Sequence, residues 1–233
     1  MKKLFIHIPK NGGMTIRKNP QIRKQVYLAS PDNHKDRAYT RGLEEKMHKT
    51  RDHQGYEHAR WRDWKQDLKD THKAVAIVRN PWDRVCSRFM FAKKVMEYEK
   101  TVSENYADTS SFEAFLEERH KWGGVKYMWH RAVRGWYPAY EHVSDEEGNN
   151  RCDILRFENY NEDVKLYFGL LTNPEPRNIT RVPNDKGTTG YGISYKDIYT
   201  KETIQIVADW YQKDIDYWGF DFGTGATRNY WNA

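Results

Sequence analysis

Two short apolar runs stand out from an otherwise polar chain, Leu4 to Ile8 and Ala74 to Val78, and a third candidate strand, Asp153 to Phe157, follows an acidic turn at Asp145 to Gly148. Runs of that length, bounded by turn residues, predict buried strands of an α/β sheet. Between them apolar residues recur at three- and four-residue steps, the period of a helix with one buried face. A short helix is expected from Met14, faltering before Pro20. Another is expected from Glu57 to about Lys69 on Trp61, Trp64 and Leu68. The clearest opens at Asn80, an N-cap followed by Pro81 at the first helical position, with Trp82, Val85, Phe89 and Met96 on one stripe. Further helices are expected after Ser110 or Ser111, from about Asn161 to Leu171, and from about Lys201 to Trp218 on Ile204, Val207, Tyr211 and Ile215. Residues 30 to 56 and 172 to 195 show no sustained period and read as loop. Strands alternating with helices across short turns predict a parallel α/β sheet in one domain, 1–233, with no internal repeat and no linker.

Composition bounds what this sheet can do. The 233 residues carry 34 aromatic side chains, enough for a core in spite of a mean hydropathy of −1.02. No apolar run is long enough for a membrane anchor or follows the pattern of a signal peptide, and Cys86 and Cys152 have no metal-type spacing, so a reducing cytoplasm is the simplest expectation. The net charge of +6 is unevenly placed. Residues 1 to 50 hold 12 Lys and Arg against 4 Asp and Glu, a balance of +8, which leaves −2 for the rest. A basic N-terminal segment attracts phosphate, sulfate or nucleic acid, or is simply a solvated face.

The candidate chemistry sits where the first two strands end. After the first, Pro9-Lys10-Asn11-Gly12-Gly13-Met14-Thr15 can turn successive N–H groups at Gly12, Gly13, Met14 and Thr15 into one concavity, assisted by a helix N-terminus and the Lys10 charge. An ordinary tight turn with a surface lysine is the competing reading. The nucleoside-triphosphate loop is absent, because here the Lys precedes the glycines. After the second strand come Arg79 and, eight residues on, Ser87, about two helical turns in and facing the crevice at the carboxyl ends of the strands. Arg79 can grip a phosphate through two nitrogens, or it can pair with Asp83 at i+4.

Taken in order, these motifs resemble the carbohydrate-type sulfotransferases. His7 to Thr15 is similar to that family's 5′-phosphosulfate loop and Val78 to Ser87 to its 3′-phosphate motif. Arg156-Phe157-Glu158-Asn159-Tyr160 resembles its third-strand motif, Asn184 with Tyr195 and Tyr199 its late cofactor loop, and Asp214 to Phe220 its closing helix. The resemblance implies a P-loop-like parallel sheet flanked by helices. It also implies 3′-phosphoadenosine 5′-phosphosulfate as donor, adenosine 3′,5′-bisphosphate as product, and an acceptor hydroxyl, with a glycan as the family-based expectation. Pro9, Lys10, Asn11, Gly12, Gly13, Met14, Thr15, Arg79, Ser87 and Lys186 would then hold the nucleotide, with Lys10 neutralising the leaving oxygen. Asn11 and Met14 replace the family's threonines and Thr15 its serine, which reduces the hydroxyls available to a sulfate.

Sulfuryl transfer to an alcohol needs a base. The resemblance puts it at His58, with His53 and Glu57 as substitutes and His7 as support for the sheet or the loop. No metal is required, and no cluster of ligand residues asks for one. Trp122, Trp129, Trp136 and Tyr137 could stack on sugar rings, although aromatic residues at such spacing more often fill a core. Two other classes remain open: a nucleotide-dependent phosphotransferase, whose Lys-Ser/Thr and metal-binding acid are not evident, and a basic nucleic-acid binder, for which no recognition module is seen.

Overall fold

The computed structural model describes residues 2–28, 56–99, 108–121, 136–174 and 194–232. In chain order its strands are β1 (Lys3–Ile6), β2 (Val26–Tyr27), β3 (Lys73–Val78) and β4 (Cys152–Arg156). Its α-helices are α1 (Gly13–Lys18), α2 (Pro20–Arg23), α3 (Gln66–Thr71), α4 (Pro81–Glu99), α5 (Phe112–Lys121), α6 (Ala139–Val143), α7 (Tyr160–Phe168), α8 (Lys201–Trp210) and α9 (Gln212–Trp218). All four strands are parallel, in the order β2-β1-β3-β4.

Side-chain alternation explains why both faces are covered. Leu4, Ile6, Ala74, Ala76, Val78 and Ile154 pack on one side with Val85 and Phe89 of α4, Phe115 of α5 and Val207 of α8. Phe5, Val75, Ile77 and Leu155 pack on the other with Ile16 of α1, Ile22 of α2 and Val164 of α7. A parallel sheet buried on two faces reads as continuous apolar sequence, which is why β1 and β3 are visible in the chain. The expected α/β architecture is present, with the parallel sheet flanked by helices on both sides.

The chain leaves β1 toward β2 on one flank and returns to β3 on the other. The reversal falls between β1 and β3, whose carboxyl ends lie side by side in the register Ile6 opposite Ala76. Among the described residues no helix is long and apolar enough to cross a membrane.

Two expectations need correction, and one strand was not foreseen. The helix expected over Glu57 to Lys69 is two 3-10 turns, Tyr56–His58 and Trp61–Asp63, followed by α3. The Asp63 carboxylate accepts from the Arg60 amide and guanidinium at 2.9–3.2 Å, and this local bonding competes with helix continuation, while Trp64 still reaches the core. The last helix is split at Tyr211, where the backbone departs from helical angles (φ −117°, ψ 21°). Strand β2 had no sequence signal because it is only two residues long.

The split is tied to a buried capping contact. Asp214 of α9 accepts from the amides of Ala139 and Tyr140 at 2.7 and 2.9 Å, satisfying the first N–H groups of α6. Burial pushes its carboxyl up to about 6, against those two hydrogen bonds and the nearby Arg84. Asp214→Ala leaves both amides without an acceptor in a dry site, so we expect a loss of roughly 2–4 kcal/mol in stability. The loss should appear as a lower urea midpoint at unchanged slope; an unaltered midpoint would contradict the capping role.

Candidate active site

The loop between β1 and α1 is shaped from behind by side chains. Gly12 adopts φ +79°, and a Cβ there would meet the Tyr160 ring at 2.7 Å. A Cβ on Gly13 would meet the His7 imidazole at 2.1 Å. Both glycines are therefore demanded by the protein's own rings, a stronger requirement than closeness to a ligand alone. The Tyr160 hydroxyl donates to the Gly12 carbonyl at 3.0 Å and also bonds the Thr15 side chain. Asn11 is fully buried and donates through Nδ2 to the Ile77 carbonyl at 2.8 Å, which fastens the loop to β3.

These bonds decide which donors remain for an anion. The Thr15 amide donates to the Gly12 carbonyl at 3.1 Å and the Asn11 amide to Ile8 at 3.4 Å, so Thr15 does not offer its N–H outward. Among the described residues the amides of Gly12, Gly13 and Met14 have no backbone acceptor. Helix α1 is only six residues long, ended by Pro20 as expected, so little dipole stands behind them. The Pro9 carbonyl accepts from Arg84 at 3.1 Å.

Lys10 stands at φ +66° and is half-buried, its ammonium 4.6 Å from the centre of the Phe91 ring on α4. Burial, helped by Arg79 and Arg88, lowers its pKa to about 7. An ammonium held that low is poised to gain an anion, since a negative neighbour would restore its ordinary value.

At the second junction Arg79 is buried and makes the pair with Asp83 that its spacing allowed. Nε and Nη2 donate to the two Asp83 oxygens at 2.7 Å each, Nη1 donates to the Lys10 carbonyl at 2.9 Å, and the Phe157 ring lies 4.0 Å from the guanidinium. Three of its five N–H groups are used, which leaves one on each terminal nitrogen. Ser87 is buried one helical turn beyond Asp83 on the same side of α4. Asn80 caps α4 as expected, its Oδ1 accepting from the Trp82 and Asp83 amides at 3.0 and 3.3 Å. Its Nδ2 meanwhile holds the carbonyls of Asp221 and Thr224 at 2.9 and 2.7 Å.

His58 comes to the same place from the 3-10 turn before α3. Its Nδ1 lies 2.8 Å from the His7 carbonyl, and its ring is 4.4 Å from the His7 ring. A carbonyl only accepts, so Nδ1 carries the hydrogen and Nε2 keeps a lone pair. Burial lowers the pKa of His58 below 6.5, opposed by Glu57 and assisted by Arg88 and Arg84. His7, buried against Gly13, is held still lower, chiefly by burial and then by His58 and Arg17. Glu57 bonds Arg17 at 2.9 Å, and its other oxygen is 3.7 Å from His58 Nε2.

The structure thus brings Pro9 to Thr15, Arg79, Ser87 and His58 to the carboxyl ends of β1 and β3. His53, Lys186, Asn184, Trp122 and Trp129 lie outside the described residues. Trp136 is core, Tyr137 is half-buried, and Tyr195 and Tyr199 donate to the carbonyls of Phe222 and Trp82 at 2.5 and 2.8 Å. Sequence reasoning missed Arg84 and Arg88, both fully buried on α4. Their i, i+4 spacing beside the Ser87 position was the available signal. Among the described residues no group of three or more His, Cys, Asp or Glu could hold a metal ion.

No curated protein and no solved structure matches the chain. Residues 2–221 match the model of the Sulfotransferase family, a span that takes in both strand-to-helix junctions, His58 and the Arg156 to Tyr160 stretch. On that coverage, and on a parallel sheet flanked by helices, the chain belongs to the sulfotransferase family.

Proposed function

We propose that this protein, acting as one domain, transfers a sulfuryl group from 3′-phosphoadenosine 5′-phosphosulfate to an acceptor hydroxyl, on a carbohydrate, with His58 as general base. The observation that carries the reading is the bond from His58 Nδ1 to the His7 carbonyl, which leaves an unprotonated Nε2 near a loop whose Gly12, Gly13 and Met14 amides have no backbone acceptor among the described residues. The donor set also fits a nucleotide with two separate anionic groups. The Gly12, Gly13 and Met14 amides with Lys10 suit a phosphosulfate, and Ser87 with the two remaining Arg79 N–H groups suits a 3′-phosphate. Because Asp83 already balances the Arg79 charge, Arg79 contributes direction more than net attraction there.

The donor supplies an activated sulfuryl group when bound. His58 Nε2 would take the proton of the acceptor hydroxyl as its oxygen bonds to sulfur. The bond from sulfur to the bridging oxygen breaks in line, and Lys10 would neutralise the charge that gathers on that oxygen. Adenosine 3′,5′-bisphosphate leaves. Positioning and fixed charge would supply most of the acceleration, as in phosphoryl transfer.

Labelled donor and a panel of glycan acceptors test the activity. In that assay His58→Ala should lower turnover by about 100- to 10,000-fold with bisphosphate affinity little changed. Near-normal turnover would remove His58 from the role. Because the neutral imidazole is the active form and burial lowers its pKa, the acid limb of kcat/KM should be centred below 6.5, while loss of the Lys10 charge near 7 limits the profile on the alkaline side. An acid limb centred above 6.5 would contradict this environment.

Lys10 generates a second outcome. Its pKa is about 7 in the ligand-free protein and should rise when an anion arrives, so bisphosphate binding at pH 8 must take up a proton. Calorimetry in two buffers of different ionisation enthalpy should show this uptake in wild type and its loss in Lys10→Met. Equal heats in both buffers for the wild type would refute it.

A further inference from the structure

Near the start of α4 one buried side chain ties the loop after β1 to the segment that enters α6. Arg84 is 1% exposed. Its Nε donates to the Pro9 carbonyl at 3.1 Å and its Nη1 to the Tyr137 carbonyl at 2.7 Å. Arg79 holds the next carbonyl of the same loop, that of Lys10, at 2.9 Å. Two guanidiniums on one helix junction therefore grip consecutive carbonyls. A trans peptide fixes its N–H opposite its C=O, so these grips set the plane of both peptide groups around Lys10, the residue at φ +66°.

Tyr137 begins a segment whose far end is fastened to the residues after His58. Arg62 donates to the Glu141 carbonyl at 3.3 Å and pairs with the Glu141 carboxylate. The Arg60 guanidinium stands 5.7 Å from the centre of the Tyr137 ring, and Asp63 holds Arg60 in place through its amide and Nε. Asp214 binds the first amides of α6, so the segment between these ends is itself fixed. Residues 137–141 thus form a strut, with Arg84 and the Pro9 carbonyl at one end and the turn following His58 at the other.

The strut has a use in the transfer. His58 is placed at the attacking oxygen and Lys10 at the leaving oxygen, on opposite sides of the sulfur. A single bond to the His7 carbonyl leaves the His58 ring free to swing about it. The second tie, through Arg60 and Arg62 to Arg84, removes that freedom and refers His58 to the loop that carries Lys10. We propose that Arg84 is a positioning residue: through the Pro9 and Tyr137 carbonyls it sets the separation of Lys10 and His58. The kinetic consequence rests on the sulfotransfer reading; the mechanical coupling does not.

Two substitutions separate geometry from charge, since Arg84 also lowers the pKa of His58, alongside Arg88 and against Glu57. Arg84→Lys keeps the cation but offers one nitrogen where the guanidinium uses two, so it cannot reproduce both grips. With labelled donor it should lower kcat by about 10- to 100-fold, with bisphosphate affinity little changed and the acid limb of kcat/KM unmoved. Arg84→Gln removes the charge and should in addition shift that limb upward. Unchanged kcat in Arg84→Lys, or a fall in kcat matched by an equal loss of bisphosphate affinity, overturns the proposal.

Hydrogen exchange on the full chain without ligand tests the coupling alone. In Arg84→Lys the peptides covering residues 9–15 and 136–143 should both exchange faster, by about 10-fold, with β3 unchanged. Acceleration in only one of the two, or throughout the protein, contradicts a strut. Arg62→Gln loosens the outer end at a half-buried site and carries the comparison if the first variant does not fold. It should speed exchange in 136–143 and lower kcat while bisphosphate affinity holds; a loosened segment with wild-type kcat overturns the proposal. Absence of transfer by the wild type would count against the sulfotransfer reading, and the exchange data would still decide the coupling.

Discussion

One guanidinium holds three strand ends in register. Arg79, at the end of β3, is gripped by both oxygens of Asp83 one turn into α4, donates to the Lys10 carbonyl in the loop after β1, and lies on the Phe157 ring after β4. Each contact fixes a different segment. Asp83 sets the angle at which α4 leaves the sheet, the Lys10 carbonyl sets the turn that puts that residue at positive φ, and Phe157 closes the side toward β4. Such a pair is retained in a buried place only when all its hydrogen bonds are made, and removal of one partner typically costs about 3–5 kcal/mol. The distance between the two junctions is therefore a property of the core, and a ligand that spans both meets a preformed site.

The electrostatic character of the crevice follows from the same packing. Lys10, Arg79, Arg84 and Arg88 converge there, and Asp83 and Asp214 are already bound to Arg79 and to the α6 amides. Burial drives Lys10 down to about 7 and Arg88 to about 9, so the protein holds these charges at a cost. An anion bound there would relieve that cost, a source of affinity that contact area does not measure. The same burial keeps His58 neutral, and the His7 carbonyl decides which nitrogen holds the lone pair. Exclusion of water therefore acts on the cations and on the imidazole in the same direction, disfavouring the charged form of each.

Much of this was legible in the chain, for identifiable reasons. Strands β1 and β3 are buried on both faces and so are written as unbroken apolar runs; Asn80-Pro81 marks the start of α4 because capping is a local rule. The i+4 spacing offered the Arg79–Asp83 pair as an alternative to a phosphate grip, and the structure contains the pair. Other features depend on partners distant in sequence. Gly13 owes its identity to His7 packed on it, Asn80 to a tail that returns 141 and 144 residues later, and Asp214 to amides 74 and 75 residues earlier. The stretch from Glu57 to Lys69 misled because Asp63 spends its carboxylate on the Arg60 amide, a side-chain choice that apolar periodicity does not register. Arg84 and Arg88 were passed over because charged residues on a helix ordinarily face water, and here both are buried.

Hydrogen exchange with and without adenosine 3′,5′-bisphosphate tests the central claim most directly, since it reads the two junctions separately in one sample. A nucleotide gripped at both should slow exchange together in the peptides covering residues 9–15 and 79–87, with the same dependence on ligand concentration. Protection of one peptide with the other unchanged would contradict a single ligand spanning both ends of the crevice.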